Sequence, residues 1–203
     1  MLFRSQEQDA VAEAAGFSNA DVLMASLSEA ARKVTWIGEE TWTRLSGRQA
    51  QVHDHVLASG VMLRGGEVEL EAAVDPSSDP VLVLRVARTA AASGARISRA
   101  TPERLAGASP EMPAPWPAGA VEDLVGLLLT GHRAIPVFES LDQYGLLVRV
   151  LPEWAPVRYK PQRNAYHRFT VDRHLWEAAA NAAELVHRVS RPDLLVLGAL
   201  LHD

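Results

Sequence analysis

TVDRHLWEAAANAAELVHRVSRPDLLVLGALLHD, residues 170–203, reads as helix, break and helix. Val171, Leu175, Ala178, Ala179, Ala182, Leu185, Val186 and Val189 recur at a spacing that places them on one face of a helix running from Thr170 to about Val189. Ser190-Arg191-Pro192 interrupts it, because proline forces the preceding residue out of the helical region. The next segment, Asp193 to Leu201, is apolar nearly all round, the pattern of a helix buried on every side. A mainly α fold is the expectation.

The chain upstream agrees. From Ser5, a candidate cap, QEQDAVAEAA leads to Gly16 as a short helix closed by the residue best suited to a left-handed terminus. Ser18 to about Leu45 places Val22, Leu23, Leu27, Ala30, Ala31, Val34, Ile37 and Trp42 at helical spacing, with Gly38 as a weak point, and such a stripe calls for a partner. Residues 52–63 and 67–72 are rich in Val and Leu and flank Arg64-Gly65-Gly66. They suggest a small β-hairpin in which Val68 and Leu70 alternate with Glu67, Glu69 and Glu71. Asp79-Pro80 opens another helix that Gly94 ends. Residues 107–119 hold four prolines in thirteen positions and read as an extended loop. Two short helices follow, 121–129 and 136–144, and then a proline-punctuated connector from Leu151 to Pro161.

Composition narrows the function classes. At 48% hydrophobic and 22% charged the chain has enough apolar residues for a packed core, and an ordered protein is the expectation. A net charge of -5 without a block of like charges gives no footprint for nucleic acid. The absence of cysteine leaves His, Asp and Glu for metal chemistry and fits a reducing cytoplasm. Apolar runs such as 194–201 fall far short of the roughly 18 residues needed to cross a bilayer. The expectation is a cytoplasmic protein without membrane or nucleic-acid partners.

His202-Asp203 stands out for its context. A bare His-Asp pair is common, and His53-Asp54-His55, which no apolar helix precedes, reads as a solvated turn or strand end. His202-Asp203 instead closes a helix expected to be buried, where a carboxylate needs compensation by a metal or a strong hydrogen-bond network. A divalent ion takes several ligands, and a neutral imidazole suits transition metals. His174, twenty-eight residues before His202, is the best-placed second imidazole; His167 and His187 are the others, and periodicity does not choose among them.

The segment GLLVRVLPEWAPVRYKPQRNAYHRFTVDRHLWEAA, residues 145–179, resembles the entry to the HD domain of bacterial PII uridylyltransferase/uridylyl-removing enzymes, where a YHRFTVDRH-type stretch leads to an apolar helix ending in LLHD. QEQDAVAEAAGFSNADVLMASLSEAARKV, residues 6–34, resembles the helical segment after the nucleotidyltransferase core of the same enzymes, and LDQYGLL with PEW fits the stretch between. The resemblance is weakest through 50–118. It implies a helical region over 1–150, a connector over 151–163 and the start of an HD-type all-α domain over 164–203. It also implies His174, His202 and Asp203 as ligands of a divalent metal, Mg or Mn.

Tyr166, Arg168, Thr170 and Asp172 match the motif without an assigned role. For the intact enzyme the resemblance implies a nitrogen sensor that attaches UMP, or AMP in some lineages, to the PII signalling protein and hydrolyses it off. UTP or ATP and glutamine would bind elsewhere in that enzyme. The paired-aspartate signature of the transferase site is absent, and HD domains use a further aspartate beyond the doublet. The expectation is therefore a fragment, with Met1 an internal start and Asp203 an artificial end, that is inactive alone. Two other readings compete: a non-catalytic helical module coupling flanking domains, and an HD phosphohydrolase acting on a free nucleotide. Arg163 and Arg168 are candidate phosphate partners, though arginines in such a segment are more often surface groups. The five tryptophans share no period and read as core or loop anchors rather than a stacking platform.

Overall fold

In a computed structural model of the protein, residues 5–46, 53–162 and 169–202 are described. The chain divides into two compact units, one formed by 1–46 with 156–174 and the other by 47–155 with 175–203.

The first unit is built on two helices, α1 (Ser5–Ala14) and α2 (Ala20–Leu45). Gly16, at φ +83°, turns the chain out of α1. Asn19 then caps α2 by accepting from the Val22 N–H at 3.0 Å, and Asp9 of α1 accepts from the Ala20 N–H at 3.0 Å, which pins the two helix ends together. The inward side of α2 is not the apolar stripe. Ala25, Ser28, Arg32, Trp36 and Glu40 are half-buried, whereas Leu27, Val34, Ile37, Trp42 and Leu45 are exposed, Val34 at 71% and Trp42 at 73%. Most of the expected stripe is thus exposed among the described residues, with Leu23 half-buried, and the more covered side of α2 runs through Arg32.

In the second unit a four-stranded sheet replaces the expected single hairpin. Strands β1 (His55–Ala58), β2 (Val61–Arg64) and β3 (Glu67–Leu70) form an antiparallel meander, and β4 (Arg96–Ile97) joins β3 in parallel. The turns are short and glycine-bearing: Gly60, Gly65 and Gly66 all have positive φ, which an L side chain resists. Alternation decides the faces. Val61, Leu63, Val68 and Leu70 are buried together, in the register Val61↔Leu70 and Leu63↔Val68, while Glu67 points outward. Two-residue β4 carries too little pattern to be read from sequence.

Helix α3 (Leu82–Ser93) crosses from β3 to β4 and forms the centre of this core, with Leu82, Val83, Leu84, Val86, Ala87, Ala90 and Ala91 buried. Its start is fixed by Asp79, which accepts from the Val81 N–H at 2.9 Å and pairs with Arg85 at 2.7 Å; Gly94 ends it at φ +69°. Helix α4 (Ala100–Ala108), unforeseen in the sequence, places Arg104 against the chain after β3, where its guanidinium donates to the carbonyls of Leu70, Glu71 and Val74.

After the proline-rich loop come α5 (Ala120–Leu128), α6 (Ala134–Gln143) and α7 (Leu146–Val150). Helix α8 (Val171–Ala183) stops before the expected Val189, and Leu185 and Val189 beyond it are exposed. Its part in this unit, from Leu175 on, buries Trp176 at 1% exposure, with its ring stacked on Phe138 at 5.6 Å and on Trp154 at 5.9 Å. Helix α9 (Pro192–Leu200) packs against α5, and Val196 and Leu200 are its buried residues. It is not buried all round, since Leu194 and Leu201 are each 56% exposed. A helix with leucine on every side exposes leucine whichever side faces outward.

Candidate functional site

The first turn of α8 is the most constrained part of the YHRFTVDRH segment that the structure describes; residues 163–168, which include Arg163, Tyr166, His167 and Arg168, lie outside the described residues. The Val171 N–H donates to the Lys160 carbonyl at 2.9 Å, tying the helix start to the preceding turn. Asp172 follows, its side chain fully buried. One carboxylate oxygen accepts from Arg32 Nη1 at 2.5 Å and from the Tyr159 N–H at 3.0 Å; the other accepts from the Arg173 N–H at 2.8 Å. An acidic group in the first turn also opposes the positive end of the helix dipole.

Tyr159 holds the other side of this arrangement. It is buried and sits at φ +55°, a left-handed conformation costing a non-glycine residue roughly 1–2 kcal/mol, which the bond to Asp172 and two cation–π contacts help offset. The guanidinium carbons of Arg32 and Arg158 lie 4.6 and 4.7 Å from its ring centroid. Sequence reasoning left Asp172 without a role. Its partner Arg32 is 140 positions away, and no local pattern marks it.

His174 is the third residue after Val171, half-buried, with its backbone N–H donating to the Thr170 carbonyl at 2.8 Å. His202 belongs to the other unit, just past α9. It is exposed rather than enclosed, and this corrects the expectation drawn from a buried final helix: the outer side of α9 is itself uncovered among the described residues. Its Nδ1 lies 2.8 Å from the Ala199 carbonyl. A carbonyl only accepts, so in this contact Nδ1 is the donor. Metal-ligating histidines commonly have this arrangement, one nitrogen donating to a carbonyl and the other directed at the ion. An imidazole is a donor type that divalent metals accept, and His202 offers one. Asp203 lies outside the described residues, and among the described ones no group of three or more His, Asp or Glu side chains is gathered to hold an ion.

Of the other histidines, His187 is exposed on a turn after α8. His55 begins β1 with Nδ1 at 2.8 Å from the His53 carbonyl, and Asp54 accepts from the Gly65 N–H at 3.0 Å, so that triplet is an exposed strand end as its sequence suggests. His132 lies 3.7 Å from Glu177 and 3.5 Å from Glu184, one carboxylate near each ring nitrogen.

No family model and no solved structure matches the chain. Among curated proteins it is 42% identical over 218 residues to the bifunctional uridylyltransferase/uridylyl-removing enzyme of Streptomyces coelicolor, covering 98% of this chain and 26% of that protein. It is 40% identical over 208 residues to the enzyme of that description in Mycobacterium tuberculosis, with the same coverage. The Corynebacterium glutamicum enzyme is 39% identical over 138 residues, 68% of this chain and 20% of its own length. The chain thus spans about a quarter of the length of the relatives it matches. Identity at this level across nearly every residue means that the chain belongs to the family of bifunctional uridylyltransferase/uridylyl-removing enzymes.

Proposed function

We propose that this chain is the part of a nitrogen-regulation enzyme that leads into its nucleotide-removing HD domain. The intact enzyme would transfer UMP, or AMP, to the PII signalling protein and hydrolyse it off in the cytoplasm, with UTP or ATP and glutamine bound outside these residues. The observation that carries the reading is identity of 40–42% over 98% of the chain with relatives named for both activities.

His174, His202 and Asp203 would hold a divalent metal, Mg or Mn. When bound, the ion lowers the pKa of a coordinated water and offsets phosphoryl charge, which supplies a nucleophile without Ser or Cys. The chain's own contribution is to orient imidazoles: the Ala199 carbonyl lies 2.8 Å from His202 Nδ1 and holds the ring there, and the helical turn begun at Val171 carries His174. The test is release of UMP from uridylylated PII by the full-length enzyme. Wild type should release it with added Mn, and His174→Ala should lose at least a hundredfold while leaving uridylyl transfer intact. Full removal activity in His174→Ala would refute the assignment; activity on free nucleotides alone would point to a different phosphohydrolase.

The coupling-module reading has its own support, the Arg32–Asp172 bond that joins α2 to the first turn of α8. It predicts normal UMP release in His174→Ala and altered regulation in Arg32→Met.

A further inference from the structure

We propose that Asp172 is a positioning residue for His174, acting through a lock made with Arg32 and the Tyr159 backbone. The inference rests on the reading of His174 as a metal ligand. Asp172 is fully buried and has all its described bonds directed at fixed groups: a guanidinium of α2, the N–H of a left-handed tyrosine and the N–H of Arg173. It lies two residues before His174, in the same helical turn. The turn cannot rotate without breaking the Arg32 contact, and Arg32 in turn is held over the Tyr159 ring. Three segments distant in sequence, around 32, 159 and 172, therefore set the direction in which the His174 imidazole leaves the helix.

The sign of one substitution separates positioning from simple electrostatics. Arg32→Met removes a cation near the ligand, so Coulomb's law alone predicts tighter binding of a divalent ion. Loss of positioning predicts weaker binding. The experiment measures Mn affinity of the full-length enzyme by electron paramagnetic resonance, well below the unfolding temperature of each variant, beside hydrogen exchange of residues 170–175. Asp172→Asn, Arg32→Met and the double variant are compared with Leu105→Ala, a core truncation in the other unit.

Each single variant should weaken Mn binding about tenfold, the low end for loss of an outer-shell partner, with the double variant no worse than the weaker single. Exchange at 170–175 should rise in all three and stay unchanged in Leu105→Ala. Mn affinity within twofold of wild type, or tighter binding in Arg32→Met, overturns the proposal. So does a Leu105→Ala variant that weakens Mn as much, since that would make the effect one of general stability. A wild type that binds no Mn refutes the ligand reading of His174 itself; exchange at 170–175 then decides the lock alone, and wild-type rates in the variants refute it.

Discussion

Replacing Trp176 by alanine should cost the second unit about 3–5 kcal/mol, the range for a fully buried tryptophan cut to a methyl. The structure supports the upper part of it. Trp176 is 1% exposed and lies nearly parallel to both of its neighbours, at 8° to Phe138 and 5° to Trp154. Each such pair contributes about 0.5–1.5 kcal/mol beyond burial, so the two stacks alone account for roughly 1–3 kcal/mol. Trp176→Phe keeps a ring between the neighbours and should lose about half as much. Trp42→Ala, at a site 73% exposed, should stay within about 0.5 kcal/mol of wild type. Urea unfolding followed by near-ultraviolet circular dichroism reads both the midpoint and the signal of the stacked indoles. A loss under 1 kcal/mol in Trp176→Ala, or equal losses at 176 and 42, would refute the stacked core as described.

Gly60→Ala should destabilise by about 1–3 kcal/mol in thermal melts, because the residue sits at φ +76° and an added methyl would meet the Val74 side chain at 2.8 Å. Gly38→Ala should do the opposite: it lies inside α2 with open space around it, so about 0.5–1 kcal/mol of helix stability should be gained, read as a higher helix signal on heating. The Asp193 carboxyl, bonded by the Arg191 guanidinium, is held below its ordinary 3.8. Its contribution to stability is then complete above that value and fades as pH falls through the lowered one. A carbon-detected NMR titration should show the depressed midpoint, and Arg191→Gln should move it back up.

Much of the helical architecture could be read from the chain because its signals are local. Gly16 and Gly94 end helices by positive φ, Asp79 starts one, and Val68 and Leu70 alternate with glutamates along a strand. What escaped was set by distant partners. The stripe of α2 is a valid helical pattern, yet periodicity cannot say which side packs, and the Arg32 side does because Asp172 and Tyr159 receive it. Strand β4 is two residues long and exists through pairing with β3, not through its own composition. For α9 the reading failed differently: uniform apolarity does not say how many sides are covered, and among the described residues Val196 and Leu200 are buried while Leu194 and Leu201 are exposed. At the candidate site the motif singled out His174 and His202 as expectations, whereas the Arg32–Asp172 bond beside the first of them was invisible in the sequence.

Calorimetric titration of divalent metal, comparing this chain with a version extended through an HD domain, tests the proposed metal ligation by His174 and His202. His174→Ala and His202→Ala are made in the longer form. Stoichiometric Mn binding is expected in the extended protein, weak or none in residues 1–203, and loss in both variants. An extended protein that binds no metal, or one whose binding survives His174→Ala, would contradict that ligation.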